Sequence, residues 1–369
     1  MKRRLLAPTL LALSLLLSAC GDTAPTATTH NNLVPTQTPG AAVTGDLAGI
    51  KTYLLDKLGS LKSATGNLNK SASSYYDMAK AVNFDYARLW SEKQADVTTT
   101  VKEAREYWIA ASPLYEQVEG IVAGVPSLSE YDVILDAGTS GAEDPESAVP
   151  FDLTLPDGRV LPKPGNLFGV TESTLWGTYP DFTAGGVKVD YDGNGTTDFG
   201  DAMPEANVLK AGAETLDKYA AELVTAANEW QPTAADAFTA LVVMVPTMSE
   251  YFNSWKSSRF VSGEASEQRD FVAISRLADI VGILGGLQVV YAEVSPMVQE
   301  ADAAADKQIA AGMEDLKTFV QGVLDQEQGG KRFTPEEADL LGEDAQNRAT
   351  AIAGQVSQVA AQLGITIAE

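Results

Sequence analysis

Val125-Pro-Ser-Leu-Ser-Glu-Tyr131 and Val245-Pro-Thr-Met-Ser-Glu-Tyr251 are two copies of one heptapeptide, 120 positions apart. Five of the seven residues are identical and the other two are conservative exchanges. Each copy follows an apolar segment with helical periodicity and places a proline where that helix would have to kink or end. A repeat at this spacing predicts an all-α protein made of two related four-helix-type bundles.

Apolar residues on either side of the two copies recur every three to four positions, as on a helix that buries one face. The first helix should break at Gly59 and Gly66, and the second should kink at Pro113. Thr334-Pro335-Glu336-Glu337 is a capping box that begins the last helix. The predicted helices cover residues 47–81, 85–122, 127–135, 205–227, 233–258, 264–301, 304–326 and 335–363.

The two bundles are separated by an insertion, residues 138–204, that is rich in Gly, Pro, Asp and Thr. Phe151–Leu161 predicts a β-hairpin that turns at Pro156-Asp157-Gly158. Gly185–Tyr191 predicts one more strand, and Leu167–Trp176 predicts a short helix. The insertion is therefore expected to be irregular and partly β.

The N-terminus has the pattern of a secretory signal. Basic residues at positions 2–4 precede the apolar run Leu10–Leu17, which is too short to span a membrane. Leu17-Ser18-Ala19-Cys20 resembles the bacterial lipobox, which predicts lipidation of Cys20; the alternative is an ordinary signal peptide. The predicted organisation is a lipoprotein signal peptide (1–20), a flexible tether (21–45), an N-terminal bundle (46–137), the insertion (138–204) and a C-terminal bundle (205–369).

The net charge and the scarcity of cysteine and histidine exclude several classes of function. The formal net charge of -24 argues against a nucleic-acid partner, which needs a basic surface, and is compatible with attraction of cations. The single cysteine is Cys20 and the single histidine is His30, in the tether. A histidine-based catalytic triad or a histidine-ligated zinc site is therefore excluded from the bundles, and we predict that the protein is not an enzyme.

The stretch Asp190–Asp201 has the spacing of a twelve-residue EF-hand loop. Side-chain oxygens fall at positions 1, 3, 5, 9 and 12, a backbone carbonyl at 7 and the turn glycine, Gly195, at 6. Position 12 is Asp rather than Glu, and a polar turn without an ion is the alternative. We predict a structural Ca²⁺ site at Asp190, Asp192, Asn194, Thr196, Asp198 and Asp201.

A second acidic motif, Tyr115-Glu116-Gln117-Val118-Glu119, lies near the end of the predicted helix 85–122. Carboxylates at i and i+3 share one helix face and offer half a site for a hard cation, although such pairs are also common on solvated faces. At the repeat offset the second copy has Asp236 and Thr239, so the pair is not a general property of the repeat.

These motifs together resemble the imelysin family. Tyr115-Glu-Gln-Val-Glu119, Val133-Ile-Leu-Asp136 and Leu167-Phe-Gly-Val-Thr-Glu172-Ser-Thr-Leu-Trp176 follow the order of the family's Tyr-Glu-x-Ile-Glu, Ile-Asp and Gly-Phe-His-x-x-Glu-x-x-Leu-Trp segments. The resemblance spans most of residues 45–364, with the exception of the insertion. It implies a relative of the EfeO/EfeM-type iron-uptake proteins of the bacterial envelope.

The resemblance further implies a metal site formed by Glu116, Glu119, Asp136 and Glu172. The family histidine falls on Gly169, so the site would be all-oxygen and would suit Fe³⁺ or another hard cation such as Ca²⁺ or Mn²⁺. The expected partners are metal ions and a membrane permease or another envelope protein. The expected location is the cell envelope, lipid-anchored and facing the periplasm or the exterior. The alternative is a structural or interaction lipoprotein on the same scaffold that has lost the iron site.

Overall fold

Two long helices joined by a tight turn begin the part of the chain that the computed structural model describes, residues 47–368. Helix α1 spans Ala48–Ala81 and helix α2 spans Tyr86–Val122. The buried residues of α1 recur at helical spacing, because only such a stripe stays on one face. They include Ile50, Leu54, Leu58, Leu61 and Leu68.

Helix α1 is more regular than the sequence predicts. Gly59 and Gly66 lie inside α1, which runs through them without a break. In α2 the backbone leaves helical angles at Lys93 (φ −134°, ψ 25°), and Pro113 lies inside the helix. Packing along the whole length of the pair outweighs the local cost of a glycine, about 1 kcal/mol.

The first copy of the heptapeptide links α2 to a short helix, α3, at Ser129–Asp132. A π-helical turn, Val133–Ala137, follows directly. The second copy links α6 (Ala234–Met244) to α7 (Met248–Ser257) through a 3₁₀ turn that contains Pro246. Both copies therefore end one helix and begin the next, as the repeat predicts.

The two β-strands found in the described residues lie in the insertion. Strands β1 (Leu153–Thr154) and β2 (Val160–Leu161) pair antiparallel and confirm the hairpin, and α4 occupies Leu167–Trp176 as predicted. The strand predicted at 185–191 is wrong, because that segment is irregular. A small apolar cluster joins the hairpin to α4 and to helix α5 (Ala206–Glu229) and holds the insertion in place; its members are Leu153, Leu155, Val170, Phe182, Val208 and Ala211.

The all-α prediction is confirmed by the remaining helices. They are α5 (Ala206–Glu229), α6, α7, α8 (Arg259–Ser262), α9 (Arg276–Ala301), α10 (Ala303–Gln328) and α11 (Pro335–Gln362). Helix α5 packs mainly on α1, although the sequence places it in the C-terminal bundle. Helix α9 packs on α2 as well as on α10, so it connects the two groups of helices.

Helix α9 begins later than predicted. The sequence predicts a helix from position 264, but residues 266–275 form a loop and the helix starts at Arg276. Within the described residues α9 alone is long and apolar enough to cross a membrane, yet 56% of its apolar window is buried against other helices, as in a bundle core. The predicted signal peptide, Cys20, the tether and His30 lie outside the described residues.

Candidate functional site

Three of the four predicted cation ligands meet in the protein interior. Glu116 and Glu119 project from α2, and Asp136 projects from the π-helical turn. One carboxylate oxygen from each lies within 4.8 Å of the others. All three side chains are buried, with exposed fractions of 2–3%. We call these three residues the acid cluster.

Local backbone structure brings the three carboxylates together. Glu116 and Glu119 share one face of α2, and a π turn adds a residue that turns Asp136 toward them. Helix α9 lies against this face at close range: a Cβ added at Gly286 would sit 2.2 Å from the Gln117 carbonyl oxygen. Only glycine allows this approach.

Two more buried acids border the cluster and were not predicted. Asp132 lies one turn before Asp136, and its Oδ1 accepts a hydrogen bond of 2.7 Å from the Tyr115 hydroxyl. Asp279 of α9 lies on the side nearer Glu116. Burial raises the pKa of both Asp132 and Asp279 to about 7. A sequence signal existed, since Asp132 precedes Asp136 by four positions, a spacing that places two residues on one helix face.

A buried arginine lies among these acids. Nη1 of Arg276 is 3.3 Å from Glu116 Oε2 and 3.3 Å from Asp279 Oδ2, while Nη2 is 3.8 Å from Asp136 Oδ2. The guanidinium packs between two rings, 4.1 Å from the centroid of Phe271 and 4.7 Å from that of Tyr251. Sequence reasoning missed this residue. Its guanidinium is the cation that the cluster contains.

One guanidinium does not balance the cluster. Burial, followed by the negative charges of Asp279, Asp136 and Glu119, raises the pKa of Glu116. Burial also raises the pKa of Asp136, against the opposing effect of Arg276. The pKa of Arg276 is raised well above its usual value, because the surrounding acids outweigh the cost of burying its charge. The acids therefore have capacity for more positive charge than Arg276 supplies.

Two carboxylate oxygens show where that charge would go. Glu119 Oε1 accepts a hydrogen bond of 2.8 Å from the Tyr251 hydroxyl. Glu119 Oε2 and Asp136 Oδ2 are buried and have no hydrogen-bond partner within residues 47–368. Buried polar atoms without partners are uncommon and costly, so an unfilled pair of carboxylate oxygens fits a hard cation.

Glu172, the fourth predicted ligand, is not part of the cluster. Its Oε2 accepts from the Phe271 N–H (2.7 Å), and its Oε1 accepts from the N–H groups of Val272 (2.9 Å) and Ala273 (2.8 Å). Burial raises the pKa of Glu172 to about 8, while these three N–H groups act in the opposite direction. The carboxyl group thus holds the loop before α9, and it explains why the predicted helix does not begin at 264.

The position of the family histidine is filled by another side chain. A Cβ added at Gly169 would lie 2.8 Å from Asp270 Oδ2 and 3.0 Å from Asn166 Oδ1. Asn166 caps α4 by accepting from the Gly169 N–H at 2.6 Å. Asp270 belongs to the same loop that Glu172 holds. Both differences from the expected ligand set, the glycine at the histidine position and the placement of Glu172 outside the acid cluster, therefore involve this one loop.

The cluster is reached from two sides. A cavity of about 680 Å³ is lined in part by Glu119, Asp132, Asp136 and Arg276. A second cleft of about 430 Å³, near Lys317, is lined in part by Glu116 and Asp279. Such volumes leave room for an ion to enter and for a long side chain to move.

The predicted calcium loop folds into a compact turn. Carboxylate oxygens of Asp190, Asp192 and Asp201 lie within 4.8 Å of one another. Asp190 accepts hydrogen bonds from the N–H groups of residues 193, 194 and 195, which lower its pKa. Gly195, at position 6, has φ +84°, a conformation that favours glycine.

The other three predicted calcium ligands are on the same loop. Asp198 Oδ2 accepts from Asn194 Nδ2 at 3.1 Å, and Asn194 Oδ1 accepts from the Thr196 N–H at 2.7 Å. Arg105 of α2 fastens the loop to the bundle: it donates to the carbonyls of Leu175 and Gly200, and its guanidinium lies 5.0 Å from the Tyr191 ring centroid. The loop therefore connects the insertion to α2 and α4.

Comparison with known proteins gives one match. A family model described as imelysin matches residues 54–363, a range that includes the acid cluster, Glu172 and the calcium loop. No curated protein matches the chain.

Proposed function

Because this chain belongs to the imelysin family, we propose that it is a non-enzymatic cation-binding protein of the cell envelope that captures iron for uptake, as EfeO/EfeM-type proteins do. Lipid on Cys20 would hold it at the membrane surface, and a membrane permease or another envelope protein would receive the ion. Iron is cargo here, bound by the acid cluster and released.

One observation carries this proposal: Glu119 Oε2 and Asp136 Oδ2 are buried beside an open cavity, and neither has a hydrogen-bond partner among the described residues. Carboxylate oxygens are ligands for hard cations such as Fe³⁺ and Mn²⁺. Glu116 would add a third carboxylate. The donor set therefore fits a hard cation without Glu172 and without a histidine.

The family carries a peptidase label, but the described residues offer little for hydrolysis. They contain neither cysteine nor histidine, since Cys20 and His30 precede them. The cluster acids surround an arginine rather than a nucleophile. These observations support binding rather than catalysis.

We further propose that the loop at Asp190–Asp201 binds Ca²⁺ as a structural ion. Three of its six predicted ligand residues, Asp190, Asp192 and Asp201, bring carboxylate oxygens within 4.8 Å of one another, and Arg105 ties the loop to α2. Calcium there would stabilise the insertion and would leave the acid cluster free for its own cation.

Isothermal titration of Mn²⁺, and of Fe³⁺ supplied as a weak chelate, into Ca²⁺-saturated protein tests the main proposal. Wild type should bind one ion that Glu119→Gln/Asp136→Asn loses. Glu106→Gln, which changes an exposed acid of α2, serves as the matched control and should bind like wild type. Equal binding by the double variant and wild type would contradict the assignment.

A specific observation favours the alternative, a structural or interaction lipoprotein. Arg276 already supplies a cation to the cluster, and Glu172 is held by the loop at 271–273. In that case wild type binds calcium at the loop, and neither Mn²⁺ nor Fe³⁺ binds elsewhere. The same titration therefore distinguishes the two functions.

A further inference from the structure

We propose that Arg276 sets the affinity threshold of the acid cluster for cations: its guanidinium is a resident counter-cation that an incoming metal ion must displace. The inference rests on the proposed cation-binding function and adds to it a competitor within the chain. A residue of this kind decides which ions bind, because only an ion that gains more from the carboxylates than the arginine does can enter.

The contacts of Arg276 define the competition. Its two terminal nitrogens approach Glu116, Asp136 and Asp279 at 3.3–3.8 Å. Glu116 and Asp136 are also two of the three carboxylates that would ligate the metal. A metal ion held by these oxygens and the guanidinium beside them would repel each other across a few ångströms in a buried site. Both cannot occupy the cluster in the positions seen here.

The arginine is held, but not fully satisfied. Its Nε is buried and has no hydrogen-bond partner in the described chain, and its contacts to carboxylates are long. Ideal pairs of this type are closer, at about 2.7–2.9 Å. The guanidinium therefore offsets part of the cluster's negative charge without the geometry of an optimal ion pair, which makes displacement feasible.

Glu172 supports this arrangement through the loop that it anchors. Phe271, whose ring covers the guanidinium, has φ +54°, a conformation that a phenylalanine rarely adopts. The hydrogen bond from the Phe271 N–H to Glu172 holds it there. The carboxylate that the family resemblance assigns to the metal thus fixes, in this chain, the ring that packs on Arg276.

The structure also provides a place for the displaced side chain. The cavity of about 680 Å³ beside Arg276 is lined by the acids Glu250, Glu267 and Asp270. A guanidinium that turned into this cavity would keep acidic neighbours and gain solvent. The displacement cost is the same for every ion, so it lowers all affinities equally and sets a threshold. Ions of higher charge pass this threshold more readily, because they gain more from three carboxylates.

Arg276→Gln tests the inference, with full-length protein saturated with Ca²⁺ and with Mn²⁺ and Tb³⁺ as probes. Removal of the competitor should raise Mn²⁺ affinity at the cluster by at least about tenfold, equivalent to about 1.4 kcal/mol. The affinity for Tb³⁺ should rise as well. Without added metal, the melting temperature of the variant should fall, and Mn²⁺ should restore more of it than it adds to wild type.

Arg276→Lys is the second variant, because it keeps the charge and is expected to fold. A lysine ammonium lacks the guanidinium fork, so it should compete less well and give an intermediate Mn²⁺ affinity. If wild type binds Mn²⁺ through Glu119, and both variants bind equally or more weakly, the inference is overturned and the proposed function stands.

Two other outcomes separate the inference from the proposed function. Binding by Arg276→Gln that wild type does not show would support the competition by arginine and refute cation capture by the natural protein. An absence of Glu119-dependent binding in wild type and in both variants would overturn both.

Discussion

Replacement of Glu172 by glutamine should destabilise the fold while leaving the acid cluster able to bind a cation. The Glu172 carboxyl group is 1% exposed and accepts three backbone N–H groups from residues 271–273. A glutamine of the same shape keeps one accepting oxygen. Its NH₂ group would face an N–H donor, so at least one buried donor loses its partner.

The size of the effect follows from those three bonds. Loss of a buried hydrogen-bond partner costs about 1–3 kcal/mol. With one donor unpaired and the other two bonds weakened, we expect the free energy of unfolding to fall by about 2–4 kcal/mol. For a chain of this size, that corresponds to a decrease in melting temperature of roughly 3–6 °C.

Urea unfolding and calorimetry in Ca²⁺ buffer would measure this change, with Glu106→Gln as the exposed control, expected within about 0.5 kcal/mol of wild type. Limited proteolysis should show faster cleavage of the 266–275 loop in Glu172→Gln. Two results would refute the reasoning: unchanged stability, or normal stability with lost Mn²⁺ binding. The second would mean that Glu172 is a metal ligand after all.

Three further predictions concern the calcium loop, pH and the missing histidine. Asp192→Ala should abolish the rise in melting temperature that Ca²⁺ gives wild type, measured by calorimetry with and without chelator; an unchanged rise would contradict the loop site. With chelator present, the free energy of unfolding should fall as pH increases from 4 to 8. The pKa of Asp132 is raised to about 7 in the folded state, so the folded chain keeps a proton that the unfolded chain loses near pH 4. Asp132→Asn should flatten this profile by on the order of 2–4 kcal/mol across that range, and a slope equal to that of wild type would refute the assignment. Gly169→His should destabilise the protein because Asp270 fills the space, and Gly169→His/Asp270→Ala should recover stability in thermal melts; additive losses would argue against the clash.

Much of the fold follows from local sequence. The capping box at Thr334 and the periodic helices α1, α10 and α11 were predicted close to their observed ends, because capping and apolar spacing are local signals. The hairpin and α4 were also predicted, from a turn sequence and a short apolar segment.

The predictions failed where distant residues decide the backbone. The apolar spacing of Phe271 and Ile274 continues that of α9, so periodicity predicts helix there. Glu172, about 100 positions earlier, takes the N–H groups of that segment instead. No window around residue 271 contains that information.

The acid cluster was predicted in part for a similar reason. Glu116 and Glu119 are local neighbours, and the family resemblance supplied Asp136. Arg276 comes from a helix 160 positions beyond Glu116, and its sequence surroundings are those of an ordinary apolar helix. One sequence signal for Arg276 remains: Asp279 stands three positions after it, and an arginine is rarely buried without a charged partner.

Anomalous diffraction from crystals soaked with Mn²⁺ or Tb³⁺ in the presence of Ca²⁺ would locate a cation bound in the acid cluster. We expect a peak bound by carboxylate oxygens of Glu116, Glu119 and Asp136, with the Arg276 side chain turned into the neighbouring cavity. A peak at the calcium loop alone, with Arg276 still seated among the acids, would contradict this expectation.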